Sequence, residues 1–162
     1  MEKKKIEIEY EEYNSINDLI TNDFALMQQA IQSATKAYAP YSLFQVGAAV
    51  RLGNGMVING NNQENAAFPV GICAERVALF YASSLYPGET IDSIAITAKS
   101  TQFVIKNPIP PCGLCRQAIA EYENKQGSPI RILMAGEIGY VHVVPSINSL
   151  LPLQFHGESL KK

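Results

Sequence analysis

Residues 73–76 read Cys-Ala-Glu-Arg and residues 111–115 read Pro-Cys-Gly-Leu-Cys, and together they contain all three cysteines of the chain. Two cysteines separated by two residues can bind one metal ion, and a third thiolate from elsewhere leaves one position of a zinc tetrahedron for water. The sequence therefore predicts a catalytic Zn²⁺ site formed by Cys73, Cys112 and Cys115. Glu75 lies beside the first of these, where its carboxylate could move protons for that water.

Both cysteine segments are predicted to begin helices. The apolar positions after Cys73 indicate a helix over residues 73–86, which Pro87-Gly88 ends, and residues 112–123 form another helical pattern. A helix amino terminus carries partial positive charge and unpaired N–H groups, which favour thiolate over thiol. This placement therefore suits a cluster of three anionic sulfurs.

Simpler interpretations exist for each part of this pattern. Glu75 alone would be read as a favourable charge or cap at a helix start. Cys112-x-x-Cys115 alone could be a redox pair of the thioredoxin type. The distant Cys73 with Glu75 next to it argues against both interpretations, because neither accounts for three cysteines and a glutamate together.

The remaining chain alternates between helix and strand signals and shows no internal repeat. This order predicts an α/β protein, a three-layer α/β/α sandwich. Residues 1–15 are predicted to be an amino-terminal extension, either a short strand or a flexible arm, and residues 16–162 the main domain. The other predicted elements are a helix over 17–38, strands over 44–50, 56–59, 91–98, 130–134 and 140–144, a hairpin turn at Asn54-Gly55, and a short helical turn over 146–151.

Composition narrows the class of protein. The 162 residues fit one domain, and a hydrophobic content of 47% without a long apolar run predicts no membrane span. A net charge of −2 offers no basic surface for nucleic acid, so a small molecule is the more natural substrate. The charged amino terminus does not resemble a secretory signal, and three cysteines committed to a metal suit a reducing compartment, so the predicted location is cytoplasmic.

Several motifs resemble one known family in their order and spacing. They are Tyr38-Ala-Pro-Tyr-Ser42, Phe44-x-Val-Gly-Ala-Ala49, Asn62-x-Glu-Asn65 and Cys73-Ala-Glu-Arg76, followed by Pro-Cys-x-x-Cys. With them the chain resembles the small homotetrameric, zinc-dependent cytidine deaminases from about residue 19 to residue 160. The resemblance implies a mixed five-stranded sheet, one Zn²⁺ per subunit, and hydrolytic deamination of cytidine and deoxycytidine in pyrimidine salvage.

The resemblance also implies roles for residues outside the metal ligands. Arg76 would donate hydrogen bonds to ligand sulfurs, whereas Arg116 has no implied role and is left open between a sulfur contact and a surface ion pair. Binding of the nucleoside would involve Phe44 against the pyrimidine face, the N–H of Ala74 at ring O2, Asn62 and Glu64 at the ribose 3′-hydroxyl, and Phe155 entering a neighbouring subunit's pocket.

Each substrate residue has an ordinary alternative. Phe44 would by default pack in the core, Asn62 and Glu64 would belong to a polar turn, and Phe155 would be one aromatic in a frayed tail. The chain also departs from the family, with Phe68 where tyrosine is common and Pro110 where serine is common. Both departures concern the pocket or the subunit contact.

Two other function classes stay open from the sequence. One is deamination of a different aminated ring, such as a nucleoside antibiotic or cytosine in a polynucleotide, and Asn62, Glu64 and the acidic balance argue against the polynucleotide. The other is a non-catalytic, zinc-stabilised binding module. Glu75 argues against it, because a purely structural zinc site closes its fourth position.

Overall fold

The computed structural model describes residues 1–160 and contains three α-helices and six β-strands in that range. None of these helices is both long enough and apolar enough to cross a membrane. In chain order the elements are β1 (Glu11–Tyr13), α1 (Thr21–Ala34), β2 (Phe44–Leu52), β3 (Val57–Asn61), α2 (Ala74–Leu85), β4 (Ile91–Ser100), α3 (Gly113–Gln126), β5 (Arg131–Ala135) and β6 (Val141–Val144).

The strands form one mixed sheet in the order β1-β6-β5-β4-β2-β3. Only β4 and β5 are parallel, and every other neighbouring pair is antiparallel. The prediction of five strands is therefore wrong. The sixth is β1, which extends the sheet because Glu12 pairs with His142 at the edge of β6.

The amino-terminal extension thus contributes a short strand, at residues 11–13. Residues 1–10 form no regular element. The predicted division of the chain at residue 15 stays a prediction.

Helices cover both faces of the sheet, which confirms the three-layer α/β/α architecture. Alternate residues of a strand point to opposite faces, so Ala48 and Val50 of β2 lie on one side and Ala49 on the other. Ala49 packs in the cluster that contains Leu26, Met27 and Ala30 of α1. Ala48 and Val50 pack in the cluster that contains Ala78 and Leu79 of α2 and Ile119 of α3. The two predicted cysteine helices therefore share one face.

A buried carboxylate ties α1 to the strands beneath it. Asp23, near the start of α1, is fully buried and accepts a hydrogen bond from Arg131 on β5. Arg51 on β2 approaches its other oxygen at 3.6 Å and also pairs with Asp92 at 2.8 Å. Because a buried charge without partners is costly, these arginines stabilise the docking of α1.

Replacing Asp23 with asparagine is expected to lower the free energy of unfolding by about 3 kcal/mol, because the two arginines lose the charge that compensates them. The measurement is urea unfolding followed by circular dichroism. Asp92→Asn is the matched control, since the Asp92 side chain is 53% exposed and pairs with Arg51, one of the two arginines that approach Asp23. The control is expected to cost less than about 1 kcal/mol, and equal losses in the two variants would contradict the role of burial.

Candidate active site

The three cysteines lie at the amino termini of α2 and α3, as predicted. Cys73 is the residue before α2 and Cys112 the residue before α3, and both have extended backbone conformations. Cys115 lies in the first turn of α3 and is buried. Since α2 and α3 contact each other on the same face of the sheet, their starting residues converge on one place.

The spacing of the three sulfurs fits one zinc ion. The Sγ atoms of Cys73 and Cys112 are 3.8 Å apart, those of Cys112 and Cys115 are 3.5 Å apart, and all three lie within 4.8 Å of one another. Tetrahedral zinc with Zn–S distances of about 2.3 Å separates its sulfurs by about 3.8 Å. Within residues 1–160 this group has three protein ligands, so one tetrahedral position is left for a non-protein ligand.

The surroundings favour thiolate at Cys73 but not at Cys115, whose pKa is raised chiefly by its hydrogen bond to Cys73 and by burial. The pKa of Cys73 is lowered to about 5, chiefly because the Cys115 thiol donates a hydrogen bond to its sulfur, with a further contribution from Arg76 and opposition from partial burial. The Nη2 atom of Arg76 lies 3.9 Å from that sulfur. The Nε atom of Arg76 is buried and has no acceptor among the described residues, so this guanidinium keeps one unused donor.

Arg116 follows Cys115 but binds backbone carbonyl groups. Its Nε donates to the Pro111 oxygen at 2.8 Å, and its Nη1 donates to the Leu150 oxygen at 2.8 Å. These bonds are neither the sulfur contact nor the surface ion pair between which the sequence left Arg116 open. Arg116 fixes the segment before Cys112 against the carboxy-terminal part of the chain.

Glu75 lies in the first turn of α2 and is only 4% exposed. Burial is the main cause that raises its pKa, and the negative charge of Cys73 adds to this effect, while its own backbone N–H and the Cys115 thiol oppose it. A carboxyl group whose pKa moves towards neutrality can both accept and return a proton. The position of Glu75 beside the sulfurs therefore fits acid–base work.

Asn62 is bonded to the first residues of β2. Its Oδ1 accepts from the backbone N–H of Val46 at 2.7 Å, and its Nδ2 donates to the Phe44 oxygen at 3.0 Å. An amide oxygen has a second lone pair and an amide nitrogen a second hydrogen. Asn62 can therefore hold β2 and still contact a ligand.

Glu64 is bonded to the segment that precedes Phe44. Its Oε2 accepts from the backbone N–H of Tyr41 at 2.9 Å, and its Oε1 accepts from the Ser42 hydroxyl at 2.5 Å. The bond from Ser42 is the main cause that lowers the pKa of Glu64. No role for Ser42 was predicted from the sequence. A serine hydroxyl often accepts a hydrogen bond from the backbone N–H two residues later, however, as Ser42 does here from Phe44.

A short pairing connects these polar residues to the sulfur cluster. Gln63, which stands between Asn62 and Glu64, exchanges two backbone hydrogen bonds of 3.0 Å with Ile72. Ile72 directly precedes Cys73. The predicted sugar-binding residues and the predicted metal ligands therefore belong to adjoining parts of one site.

Helix α2 lies very close to β3 where it carries Ala74 and Glu75. A Cβ added to Gly60 would lie 2.4 Å from the backbone nitrogen of Ala78 and 2.5 Å from the oxygen of Ala74. Only glycine permits this approach. Ala74 itself is fully buried, and its N–H belongs to the first helical turn, where N–H groups have no acceptor within the helix.

Phe155 lies on the outer surface of α3. Its backbone oxygen accepts from Gln117 Nε2 at 2.9 Å, and its side chain is 59% exposed. With Phe80 and Leu114 it lines a groove of about 610 Å³ that Arg76 also borders. In the single chain this aromatic residue is thus presented to the surface.

The fold and the three-sulfur site with its open position fit the class of zinc-dependent hydrolytic enzymes. A family model described as the cytidine and deoxycytidylate deaminase zinc-binding region matches residues 20–127. The chain belongs to this family.

Individual relatives are similar to this protein in sequence over most of the chain. It is 39% identical over 135 residues to the cytidine deaminase of Halalkalibacterium halodurans, which covers 83% of this chain and 95% of the relative. The cytidine deaminase of Sporosarcina psychrophila is 35% identical, with coverage of 83% and 92%. Among solved structures, the cytidine deaminase from Burkholderia pseudomallei superposes with a TM-score of 0.68 at 39% identity, covering 81% of this chain and 97% of that one.

Proposed function

We propose that this protein hydrolyses cytidine and deoxycytidine to uridine and deoxyuridine with release of ammonia. The observation that carries the proposal is the cluster of three sulfurs, 3.5 to 3.8 Å apart at two of its edges, with the buried carboxyl of Glu75 next to it. Family membership and relatives named cytidine deaminase support the choice of substrate.

Cys73, Cys112 and Cys115 would hold the zinc ion. When bound, zinc supplies Lewis acidity, which lowers the pKa of a water molecule so that it can act as a nucleophile near neutral pH. Glu75 accepts the proton that this water loses and delivers it to ring N3. After attack at C4, Glu75 carries the second proton of the water to the amino group, which leaves as ammonia. Arg76 offsets the charge of the three thiolates through its hydrogen bond to Cys73.

The substrate is oriented by residues on both sides of this centre. Phe44 packs against the pyrimidine face, and the N–H of Ala74 donates to ring O2. Asn62 and Glu64 bind the ribose 3′-hydroxyl with the hydrogen-bonding capacity that their contacts to β2 and its preceding turn leave unused. These contacts favour a nucleoside over a free base.

The decisive experiment is conversion of cytidine by zinc-loaded protein, followed by ultraviolet absorbance. We expect turnover that a chelator abolishes and added Zn²⁺ restores. Loss of the amino group from a different aminated ring, with cytidine unchanged, would assign another substrate to the same centre. No turnover of any aminated ring by folded, zinc-loaded protein would favour a binding module.

The active form is proposed to be a homotetramer in which Phe155 enters a neighbouring subunit's pocket. Large apolar side chains at the surface support assembly, namely Phe68, Leu114, Leu153, Phe155 and Leu160. Sedimentation velocity is expected to give four times the mass of one chain. A monomer that turns over cytidine at the full rate would exclude the role of Phe155.

The proposed location is the cytoplasm, with a role in pyrimidine salvage. All three cysteines are free thiols in the structure, which is the state that a reducing compartment maintains and that zinc binding needs.

A further inference from the structure

The turn that leads from α1 into β2 is built around the hydroxyl group of Ser42. This hydroxyl donates to Glu64 Oε1 at 2.5 Å and accepts from the backbone N–H of Phe44 at 3.1 Å. The other Glu64 oxygen accepts from the backbone N–H of Ser42 at 3.3 Å and from that of Tyr41 at 2.9 Å. One side chain therefore joins Glu64 to Phe44.

The backbone of the residue between Ser42 and Phe44 is in an unfavourable conformation. Leu43 has a φ of 55°, and it is the one residue other than glycine with a positive φ in the described chain. This region is uncommon for a leucine and persists only where surrounding bonds enforce it. Here the enforcing bonds are those on either side, from Leu43 N to the Ala39 oxygen at 3.1 Å and from Phe44 N to the Ser42 hydroxyl.

We propose that Ser42 is a positioning residue for nucleoside binding, which makes the Glu64 carboxylate and the Phe44 ring a single preformed unit. The proposal rests on the proposed function, because Glu64 and Phe44 are its sugar and pyrimidine contacts. Removing the hydroxyl would leave Glu64 Oε1 without its donor and Phe44 N without its acceptor. The substrate would then have to order both contacts. This cost lowers the affinity for the substrate, whereas proton transfer by Glu75 is unchanged.

The chain contains a close structural match that can serve as a control. Ser15 accepts from the backbone N–H of Asn17 at 3.2 Å, its hydroxyl donates to Asp18 at 3.4 Å, and its own N–H donates to Asp18 at 3.0 Å. Ser15 follows β1, and three strands separate β1 from β2. Ser15→Ala removes the corresponding two hydroxyl hydrogen bonds at a place remote from the site.

The test compares steady-state kinetics of the zinc-loaded protein with those of Ser42→Ala, Ser42→Thr and Ser15→Ala. For Ser42→Ala we expect KM for cytidine to rise about tenfold, equivalent to about 1.4 kcal/mol, with kcat within about twofold of the parent value. The inhibition constant of uridine should rise by the same factor as KM. Ser42→Thr keeps a hydroxyl and should restore KM to within about threefold, and Ser15→Ala should leave KM and kcat unchanged.

An unchanged KM in Ser42→Ala would overturn the proposal while the parent protein still turned over cytidine. An equal rise in Ser15→Ala, or a fall in kcat that Ser42→Thr does not rescue, would also overturn it, because the effect would then be on general stability. Failure of the proposed function has a different signature, since the parent protein itself would neither turn over cytidine nor bind uridine, and the positioning role would fall with it.

Discussion

Replacing Glu75 with glutamine is expected to lower kcat for cytidine by about 10³-fold or more while the zinc content stays at one ion per chain. Glutamine has nearly the same shape but cannot accept or return a proton. Because Glu75 is 4% exposed, water cannot easily replace it in proton transfer. The measurements are turnover of cytidine and zinc content by atomic absorption. Glu75→Ala should behave in the same way.

The control for Glu75→Gln is Glu89→Gln, the same change at an exposed position in the turn after α2. It should leave kcat, KM and zinc content unchanged. Turnover of Glu75→Gln and Glu75→Ala at the parental rate would remove Glu75 from the mechanism. Loss of zinc from both variants would show instead that the carboxyl group maintains the metal site.

Gly60→Ala is expected to have the second largest effect, on both stability and activity. The new Cβ would lie 2.4 Å from Ala78 N and 2.5 Å from Ala74 O, so α2 must move away from β3. Such overpacking is expected to cost about 3 kcal/mol in the free energy of unfolding. Since α2 carries Glu75 and begins next to Cys73, a shift of this helix should also lower kcat by about 10²-fold.

Gly88→Ala is the matched control for Gly60→Ala. A Cβ at Gly88 would meet no atom within 4 Å, so thermal unfolding and turnover should both be unchanged. If Gly60→Ala were as stable and as active as Gly88→Ala, the close approach of α2 to β3 would have no part in positioning Glu75. If it lost stability alone, the approach would matter for folding but not for catalysis.

Most elements were predictable because their signals are local. The turn at Asn54-Gly55 lies between β2 and β3, and Gly55 has a φ of 86°, which glycine adopts without cost. Proline and glycine at residues 87–88 follow α2. The predicted start of α1 was too early, because Ser15 and Asp18 form a capping box around a separate short 3₁₀ helix before Leu19 becomes extended.

Other features depend on residues that are distant in the sequence. The strand β1 could not be located from alternation, since its position depends on pairing with β6, about 130 residues later. Asp23 looks like an ordinary acidic residue of a first helical turn. Its burial between Arg51 and Arg131 follows only from the packing of α1 on the sheet.

By itself, the sequence determined the chemistry that this protein has available: three thiolates, a glutamate beside the first of them, and the motifs that predict its family and the order of its helices and strands. These are properties of residue type and short spacing, which local geometry preserves. Only the tertiary structure decided that Glu64 and Asn62 are bonded around Phe44, that Arg116 binds carbonyl groups, and that α2 lies on Gly60. Such contacts join segments far apart in the chain, and they form only when packing of the helices on the sheet brings those segments together.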